Sequence, residues 1–474
     1  MDVTGRTLST RISNKENIMR PNIIDCTLRE GCQTIQCSFD IEQSEILAKK
    51  IAEFGVDMIE CGHPKISRYE LDRVRAVTRV SPLPVLAHAR CRVEDIDAVR
   101  ESGADWVGMF ASFNPVSLAT KFGGMSKDDV LDLFESSIRY AKQNGLKVRA
   151  TVEDAGRTDT SDLFRIYQVA VAAGADRICF ADSVGALLPS ETYEILASLR
   201  HEFRSTQFEY HVHNDRGLAL ANTLEAIRAG VEWTSTSCNG IGERAGITDT
   251  FQLAALLQAR YGDATRHLSK SRELSELVKV FSRIDGSPMQ PIVGDNIFAH
   301  AAKLHRIAST KDASAYNVHD AALSEGVEVL EKFPPMREQE LFLTPFEKSS
   351  TELRYHRHGP GKRFVMLDHR LLSASPFYFI ARKVEVIADN EEGHVDTHRH
   401  NCDSVFMFLG EDEDYQGLTV EVTISGQSRT LTSPATAFIP SGAEHSYRFV
   451  GGKGSFINFV HKGKYEKSLL DISA

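Results

Sequence analysis

Between residues 22 and 262 short apolar runs alternate with longer segments in which apolar residues recur at three- and four-residue spacing. The runs lie at 23–26, 58–61, 84–87, 106–110, 147–152, 177–180, 208–213 and 233–237, eight in all. Segments between them, such as 41–54, 127–144, 162–173, 190–203 and 218–229, carry the periodicity of amphipathic helices and are long enough for crossover connections. Eight strand-helix units within 21–262 predict a closed (β/α)8 barrel, an α/β fold of the TIM-barrel type. An open, doubly wound sheet is the alternative, because periodicity does not register closure.

The pattern changes twice beyond the barrel. Residues 263–350 read as a helical subdomain or linker, with helices over 273–284 and 320–331, broken by Gly294 and the pair Pro334 and Pro335. From 351 to 474 the runs are short and alternating, at 364–367, 377–387, 405–409, 418–424, 437–439, 446–450 and 455–460. Gly, Asp, Asn and Pro separate them at hairpin-like intervals, which predicts an all-β sandwich or barrel as a second domain. Residues 1–20 form a polar tail without the apolar stretch of a secretion signal.

Composition narrows the function classes. A chain of 474 residues exceeds what one core organises, so two or three units are expected. A net charge of −10 works against phosphate backbones and anionic lipid surfaces, which excludes nucleic acid and membrane as expected partners. No apolar run approaches the ~20 residues of a membrane helix. The eight cysteines show no paired CxxC spacing, so reduced thiols and a cytoplasmic location are expected.

In a barrel of this kind functional groups sit at the C-terminal ends of strands. The first strand runs into Asp25-Cys26-Thr27-Leu28-Arg29-Glu30-Gly31, the seventh into His211-Val212-His213-Asn214-Asp215. Residues i and i+2 of a strand face the same way, so His211 and His213 aim two imidazoles together. With Glu30 they form a two-His, one-carboxylate set that can hold a divalent ion and leave positions open for substrate. An HxH pair alone more often marks two polar residues at a strand end, but the company of Arg29 and Glu30 favours the metal.

The stretches "DCTLREGCQ" from Asp25, "HVHNDRGLALANTLEAIRAG" from His211 and "NGIGERAGIT" from Asn239 resemble the DRE-TIM metallolyase superfamily, in the branch of homocitrate synthase and 2-isopropylmalate synthase. The resemblance runs from about residue 20 to 325. It implies a Claisen-type condensation of acetyl-CoA with a 2-oxo acid, assisted by a divalent Zn, Mn, Mg or Co ion on Glu30, His211 and His213. Arg29 would stabilise charge on the ketone oxygen. Glu153, His305 and Tyr316 match residues that act on acetyl-CoA; in the family the last two reach into a partner's barrel, which implies a homodimer. Ordinary helix packing is the other account of His305 and Tyr316. His88, Arg149, Thr151 and Ser183 match positions that grip the oxo acid. An unpaired buried Arg149 beside an alkyl group would be costly, so an anionic substrate is expected. Ile247 stands where isopropylmalate synthases usually have Asn, as it does in homocitrate synthases.

Three departures reshape the expected mouth. Cys32 replaces a Glu, Ser183 a more common Thr, and Gly108 an Asp. 2-Oxoglutarate, oxaloacetate and phosphonopyruvate therefore all remain candidates. Cys32, with no base in a known arrangement beside it, is expected to be passive. Carbon–carbon cleavage, as in the hydroxymethylglutaryl-CoA lyase branch, is the alternative reaction. The chain has "SCNGIGERAG" where that branch carries a glycine- and cysteine-rich loop. A barrel without chemistry, serving as scaffold, is a third alternative, opposed by the presence of Arg29, Glu30, Glu153, His211 and His213.

"GHVDTHRHNCDSVFMFLG" from Gly393 and "PATAFIPSGAEHSYRF" from Pro434 resemble the two motifs of a cupin barrel. His398, His400 and His445 would then form a second metal site for Fe, Zn, Ni or Mn. The usual carboxylate is missing: Asp403 lies one position early and Ser404 stands in its place. A ligand sensor and a dimerisation module are the alternatives to catalysis in this domain.

Overall fold

The computed structural model describes residues 20–316, 341–373, 375–386, 393 and 395–470. The polar tail up to residue 19 and the helix expected over 320–331 lie outside the described residues. The chain divides into two compact units, Met1–Val329 and Leu330–Ala474.

Eight parallel strands close a barrel in sequence order: β1 (Asn22–Asp25), β2 (Met58–Glu60), β3 (Val85–Ala89), β4 (Trp106–Ala111), β5 (Lys147–Val152), β6 (Arg177–Asp182), β7 (Gln207–Val212) and β8 (Trp233–Thr236). Pairing of Asn22 with Trp233 and of Asp25 with Thr236 completes the ring and removes the open-sheet alternative. β7 ends one residue before His213, which instead bridges Ile247, so the second imidazole sits on the turn leaving the strand.

The outer helices start and stop where local chemistry dictates. Asp40 forms a capping box with Gln43 at the head of Ile41–Phe54, and Gly55 ends that helix with φ +100, a conformation costly for any residue with a Cβ. The apolar stripe Leu47, Ile51 and Phe54 is fully buried, with Phe54 meeting Phe251 edge-on at 5.4 Å.

The inside of the barrel carries buried charge. Arg149 donates through Nη1 to Glu60 Oε2 at 2.9 Å and to Glu209 Oε1 at 2.9 Å. Arg177 donates to Glu209 Oε2 at 3.0 Å, and its guanidinium lies 3.5 Å from the Trp233 ring and 4.6 Å from Trp106. Each charge is thus met by an opposite one or an aromatic face, as burial requires.

After the barrel, helix Ser271–Ser282 buries Leu274, Leu277, Val278 and Phe281. It starts two residues earlier than the periodicity predicts and ends at Arg283 in the left-handed region. A second helix, Lys303–Lys311, buries none of its residues. No helix among the described residues is long and apolar enough to cross a membrane.

The C-terminal unit is an antiparallel sheet of β9 (Phe346–Glu347), β10 (Arg363–Leu367), β11 (Tyr378–Val386), β12 (Ser404–Gly410), β13 (Leu418–Ile424), β14 (Gln427–Thr432), β15 (Ala435–Ile439) and β16 (His445–Val460). The runs expected separately at 446–450 and 455–460 are one strand. Gly451, Gly452 and Gly454 look like a turn in the sequence, but the first half of β16 pairs with β13 and the second with β11 and β12. A register shift at Thr419 and Val420 absorbs the change of partner. The inward faces bury Val365, Ile380, Phe406, Phe408, Val420 and Phe456 in one core.

Candidate functional site

The turn leaving β1 places the first candidates. Asp25, fully buried, accepts from the Thr27 N–H at 2.9 Å and the Thr250 hydroxyl at 3.0 Å. The chain then curls so that the Arg29 and Glu30 N–H groups both donate to the Cys26 carbonyl, at 3.0 and 2.7 Å. Gly242 lies against Glu30: a Cβ there would sit 3.0 Å from Glu30 Cγ.

This turn brings Glu30 to the end of β7. Glu30 Oε1 lies 3.8 Å from His213 Nε2, and Oε2 lies 4.0 Å from His211 Nε2. One ligand atom from each of the three residues lies within 4.8 Å of the others, and all three are buried. Burial works to raise the Glu30 carboxyl, but Arg29, the two imidazoles and the Glu243 N–H hold it down at about 2. Burial depresses His211 to about 3, with Glu30 opposing, and lowers His213 in the same way. An ionised carboxylate and two neutral imidazoles carry the lone pairs a divalent cation needs.

A cavity of about 340 Å³ opens over this cluster. Arg29, Glu30, His211 and His213 line it, together with His88, Arg149, Thr151, Glu153 and Ser183. Arg29 donates to Glu30 and, through Nε, to Glu60 Oε1 at 2.6 Å. His88 Nε2 lies 2.6 Å from Glu60 Oε1 and 2.6 Å from Arg149 Nη2, and burial lowers its pKa to about 4 against the pull of Glu60. Glu153 Oε1 accepts from Lys121 at 2.5 Å, while Oε2 is buried with no hydrogen-bond partner. The Ser183 hydroxyl accepts from the Asp154 N–H at 2.8 Å.

Arg149 is not an unpaired cation, since Glu60 and Glu209 both neutralise it. His305 and Tyr316 do not line the cavity. They stack on each other, ring centroids 4.0 Å apart, at the helix Lys303–Lys311, with Tyr316 52% exposed. Cys32 donates to the Leu28 carbonyl at 3.6 Å, and burial raises its thiol.

Glu60 and Glu209 are the residues the sequence reading missed. A signal was present for both. Glu60 is an acid inside an apolar run, and Glu209 shares with His211 and His213 the inward face set by a period of two. Gly108 makes room for the Arg149–His88 contact: a Cβ there would meet Arg149 Nη2 at 2.9 Å and His88 Cδ2 at 3.1 Å.

The C-terminal unit gathers a second cluster. His398, His400 and His445 are buried with ligand atoms within 4.8 Å of one another. Reciprocal backbone hydrogen bonds of 3.2 and 3.0 Å tie His398 to His445. Nδ1 of His398 meets the Asp396 carbonyl at 2.8 Å, that of His445 the Ala443 carbonyl at 3.1 Å, and that of His400 the Ser468 hydroxyl at 2.7 Å. Carbonyl acceptors fix the proton on Nδ1 of His398 and His445 and leave Nε2 as the lone-pair atom. Burial lowers all three pKa values. Asp403 does not join them; its carboxylate accepts from the Ser441 N–H at 2.8 Å.

Residues 20–278 match the HMGL-like family. A homocitrate synthase of Sulfurisphaera tokodaii is 37% identical over 303 residues, covering 63% of this chain and 66% of that protein. A homocitrate synthase of Saccharolobus islandicus is 35% identical over 304 residues, with 63% and 66% covered. The chain thus spans just under two thirds of the length of these relatives. Among solved structures, the HMG-CoA lyase of Bacillus subtilis superposes with a TM-score of 0.50 at 19% identity, over 55% of this chain and 93% of that one. That likeness is one of fold.

Proposed function

The chain belongs to the HMGL-like family, and on that premise we propose that its barrel condenses acetyl-CoA with an anionic 2-oxo acid, giving a homocitrate- or alkylmalate-type product and free CoA. The curated relatives named homocitrate synthase support the reaction class. The observation that carries it is the meeting of Glu30, His211 and His213 beneath a cavity that Arg29 also lines.

Glu30, His211 and His213 would hold a divalent Zn, Mn, Mg or Co ion, and when bound this ion supplies Lewis acidity to the carbonyl of the oxo acid. Arg29 directs its guanidinium to the oxygen on which negative charge develops. Glu153 carries proton traffic at the acetyl methyl, for which its buried, unpartnered Oε2 is suited. The methyl loses a proton, the new carbon–carbon bond forms at the ketone carbon, and water then cleaves the thioester. His88, Arg149, Thr151 and Ser183 orient the oxo acid.

Charge supports a diacid as substrate. The cations Arg29, Arg149 and Arg177 are balanced by the anions Glu30, Glu60 and Glu209, three against three, and the imidazoles are neutral. A bound divalent ion adds two positive charges, which complements a dianion such as 2-oxoglutarate or oxaloacetate. Phosphonopyruvate fits the same requirement.

His305 and Tyr316 would act on acetyl-CoA in a partner's barrel, making the enzyme a homodimer. Support comes from the helix that carries His305, which buries nothing and leaves Leu304 76% and Ile307 42% exposed. The C-terminal unit we read as a cupin domain whose three imidazoles hold Fe, Zn, Ni or Mn. We expect the protein to work in the cytoplasm.

The test is release of CoA thiol from acetyl-CoA with a panel of 2-oxo diacids. One diacid is expected to release it, and a chelator to abolish the signal. Absence of release with every diacid, in protein reloaded with each of the four metals, would overturn the assignment.

A further inference from the structure

Six arginines are buried among the described residues: Arg73, Arg149, Arg177, Arg266, Arg363 and Arg382. The first four, all in the barrel unit, face carboxylates: Glu70 for Arg73, Glu60 and Glu209 for Arg149, Glu209 for Arg177, and Asp57 with Asp263 for Arg266. The last two, in the C-terminal unit, face none among the described residues.

Arg363 on β10 and Arg382 on β11 are directly opposite in the antiparallel register, 5% and 4% exposed. Arg363 donates through Nη2 to the Tyr378 hydroxyl at 3.0 Å, and its buried Nη1 has no acceptor. Arg382 donates through Nη2 to the Ser350 hydroxyl, and its buried Nε has no acceptor. Two adjacent guanidinium ions in an apolar interior, each short of an acceptor and without a counter-ion among the described residues, are costly for a fold to keep unless an anion satisfies them.

The same interior leads to the three imidazoles. Tyr378 packs on Tyr465 with ring centroids 5.1 Å apart. The Tyr465 hydroxyl lies 3.4 Å from His398 Nε2, and its ring 5.3 Å from that of His400. Inward-facing Ser404 and Asn458 each bury an oxygen without a partner, as His445 does its Nε2. Buried donors and lone pairs therefore stand at the arginine pair and at the histidines, and the Tyr378–Tyr465 pair links the two groups.

We propose that this interior binds a small organic acid with a 2-hydroxy or 2-oxo group, its carboxylate end held by Arg363 and Arg382 and its chelating end directed at the three histidines. The chelating half rests on the reading of His398, His400 and His445 as a metal site; the arginine half does not. Arg suits the carboxylate end because its planar fork presents paired donors to paired oxygens.

The full chain carrying His213→Ala, which removes the barrel ion, is loaded with Co(II), so that its visible spectrum reports the three-histidine site. Malate is the probe and succinate, which lacks the hydroxyl, its control. Malate is expected to shift the Co(II) bands and succinate to leave them in place. Arg363→Gln and Arg382→Gln are expected to weaken malate at least about tenfold, the loss of a charged hydrogen bond, with Co(II) content unchanged. Arg382→Lys, which keeps the charge, retains part of the binding and guards against a folding defect. Equal malate affinity in the parent and both Gln variants overturns the proposal. If His400→Ala leaves the Co(II) content intact, the metal reading fails by itself. Calorimetry of malate on metal-free protein then decides the arginine half: binding lost in Arg382→Gln upholds it, and no binding overturns it.

Discussion

Arg29 and Glu60 meet through Nε and Oε1 at 2.6 Å, and this contact ties the turn after β1 to the end of β2. Glu60 also receives Arg149 and stands beside His88, so one fully buried carboxylate aligns three groups of the cavity wall. Glu60→Gln is expected to lower kcat by about 100-fold through misplacement of Arg29. It should also cost about 3–5 kcal/mol of stability, because the buried Arg149 and the half-buried Arg29 lose a counter-charge. Steady-state kinetics with urea denaturation checks both; an unchanged kcat would remove Glu60 from the machinery.

Glu30→Ala and His213→Ala each remove one of three ligand groups at the barrel cluster. Each is expected to cost one equivalent of divalent metal per chain and to abolish condensation. Elemental analysis beside the thiol assay measures this. Full metal content in either variant counts against the cluster as a metal site.

Gly108→Ala introduces a Cβ 2.8 Å from Leu86 Cδ2 and 2.9 Å from Arg149 Nη2. The crowding is expected to cost roughly 1–3 kcal/mol. Displacement of Arg149 and His88 should raise KM for the oxo acid and leave KM for acetyl-CoA unchanged. Equal changes in both would point to a general loss of structure.

Asp249 caps the helix Thr250–Tyr261, and burial pushes its carboxyl up to about 6. An acid with a raised folded pKa gains stability in its protonated form. That stability is fully present below its ordinary value of 3.8 and is lost as pH rises to about 6. Asp249→Asn keeps an oxygen for the Phe251 and Gln252 N–H groups and removes the titration. Relative to the parent, the variant should gain roughly 3 kcal/mol between pH 4 and pH 7. Parallel denaturation curves at the two pH values would contradict this.

His305 and Tyr316 stack outside the cavity of their own barrel. If they serve a partner, His305→Ala and Glu30→Ala should each be inactive alone and together recover about a quarter of the parent activity when mixed in equal amounts and allowed to exchange subunits, because about half of the dimers are then mixed and each mixed dimer has one intact site of two. No recovery in a verified mixed dimer would place the two residues outside the reaction.

Much of the barrel unit was legible because its signals are local. Eight apolar runs with helical segments between them follow from the periods of two and 3.6, and His211 and His213 share a direction for the same reason. The sequence pattern splits β16 in two, because glycines in a long strand look like a turn until its two halves are seen pairing with different neighbours. The counter-charges of Arg149 cannot be read from the pattern, because Glu60 and Glu209 come from strands distant in sequence. The role of Glu60 is hidden for the same reason: an acid in an apolar run has no partner until the strands are ordered around the ring.

The order of residues by itself determined which side chains face inward, where the metal-ligating types fall, and how the composition shifts from α/β to all-β. Those properties depend on neighbours a few positions away. Closure of β1 onto β8, the approach of Glu30 to His211 and His213, and the contrast, among the described residues, between four neutralised buried arginines and two without a counter-ion were decided only in three dimensions. The reason is physical: charge compensation depends on distance through space, which strand order and register set, and a one-dimensional pattern carries neither.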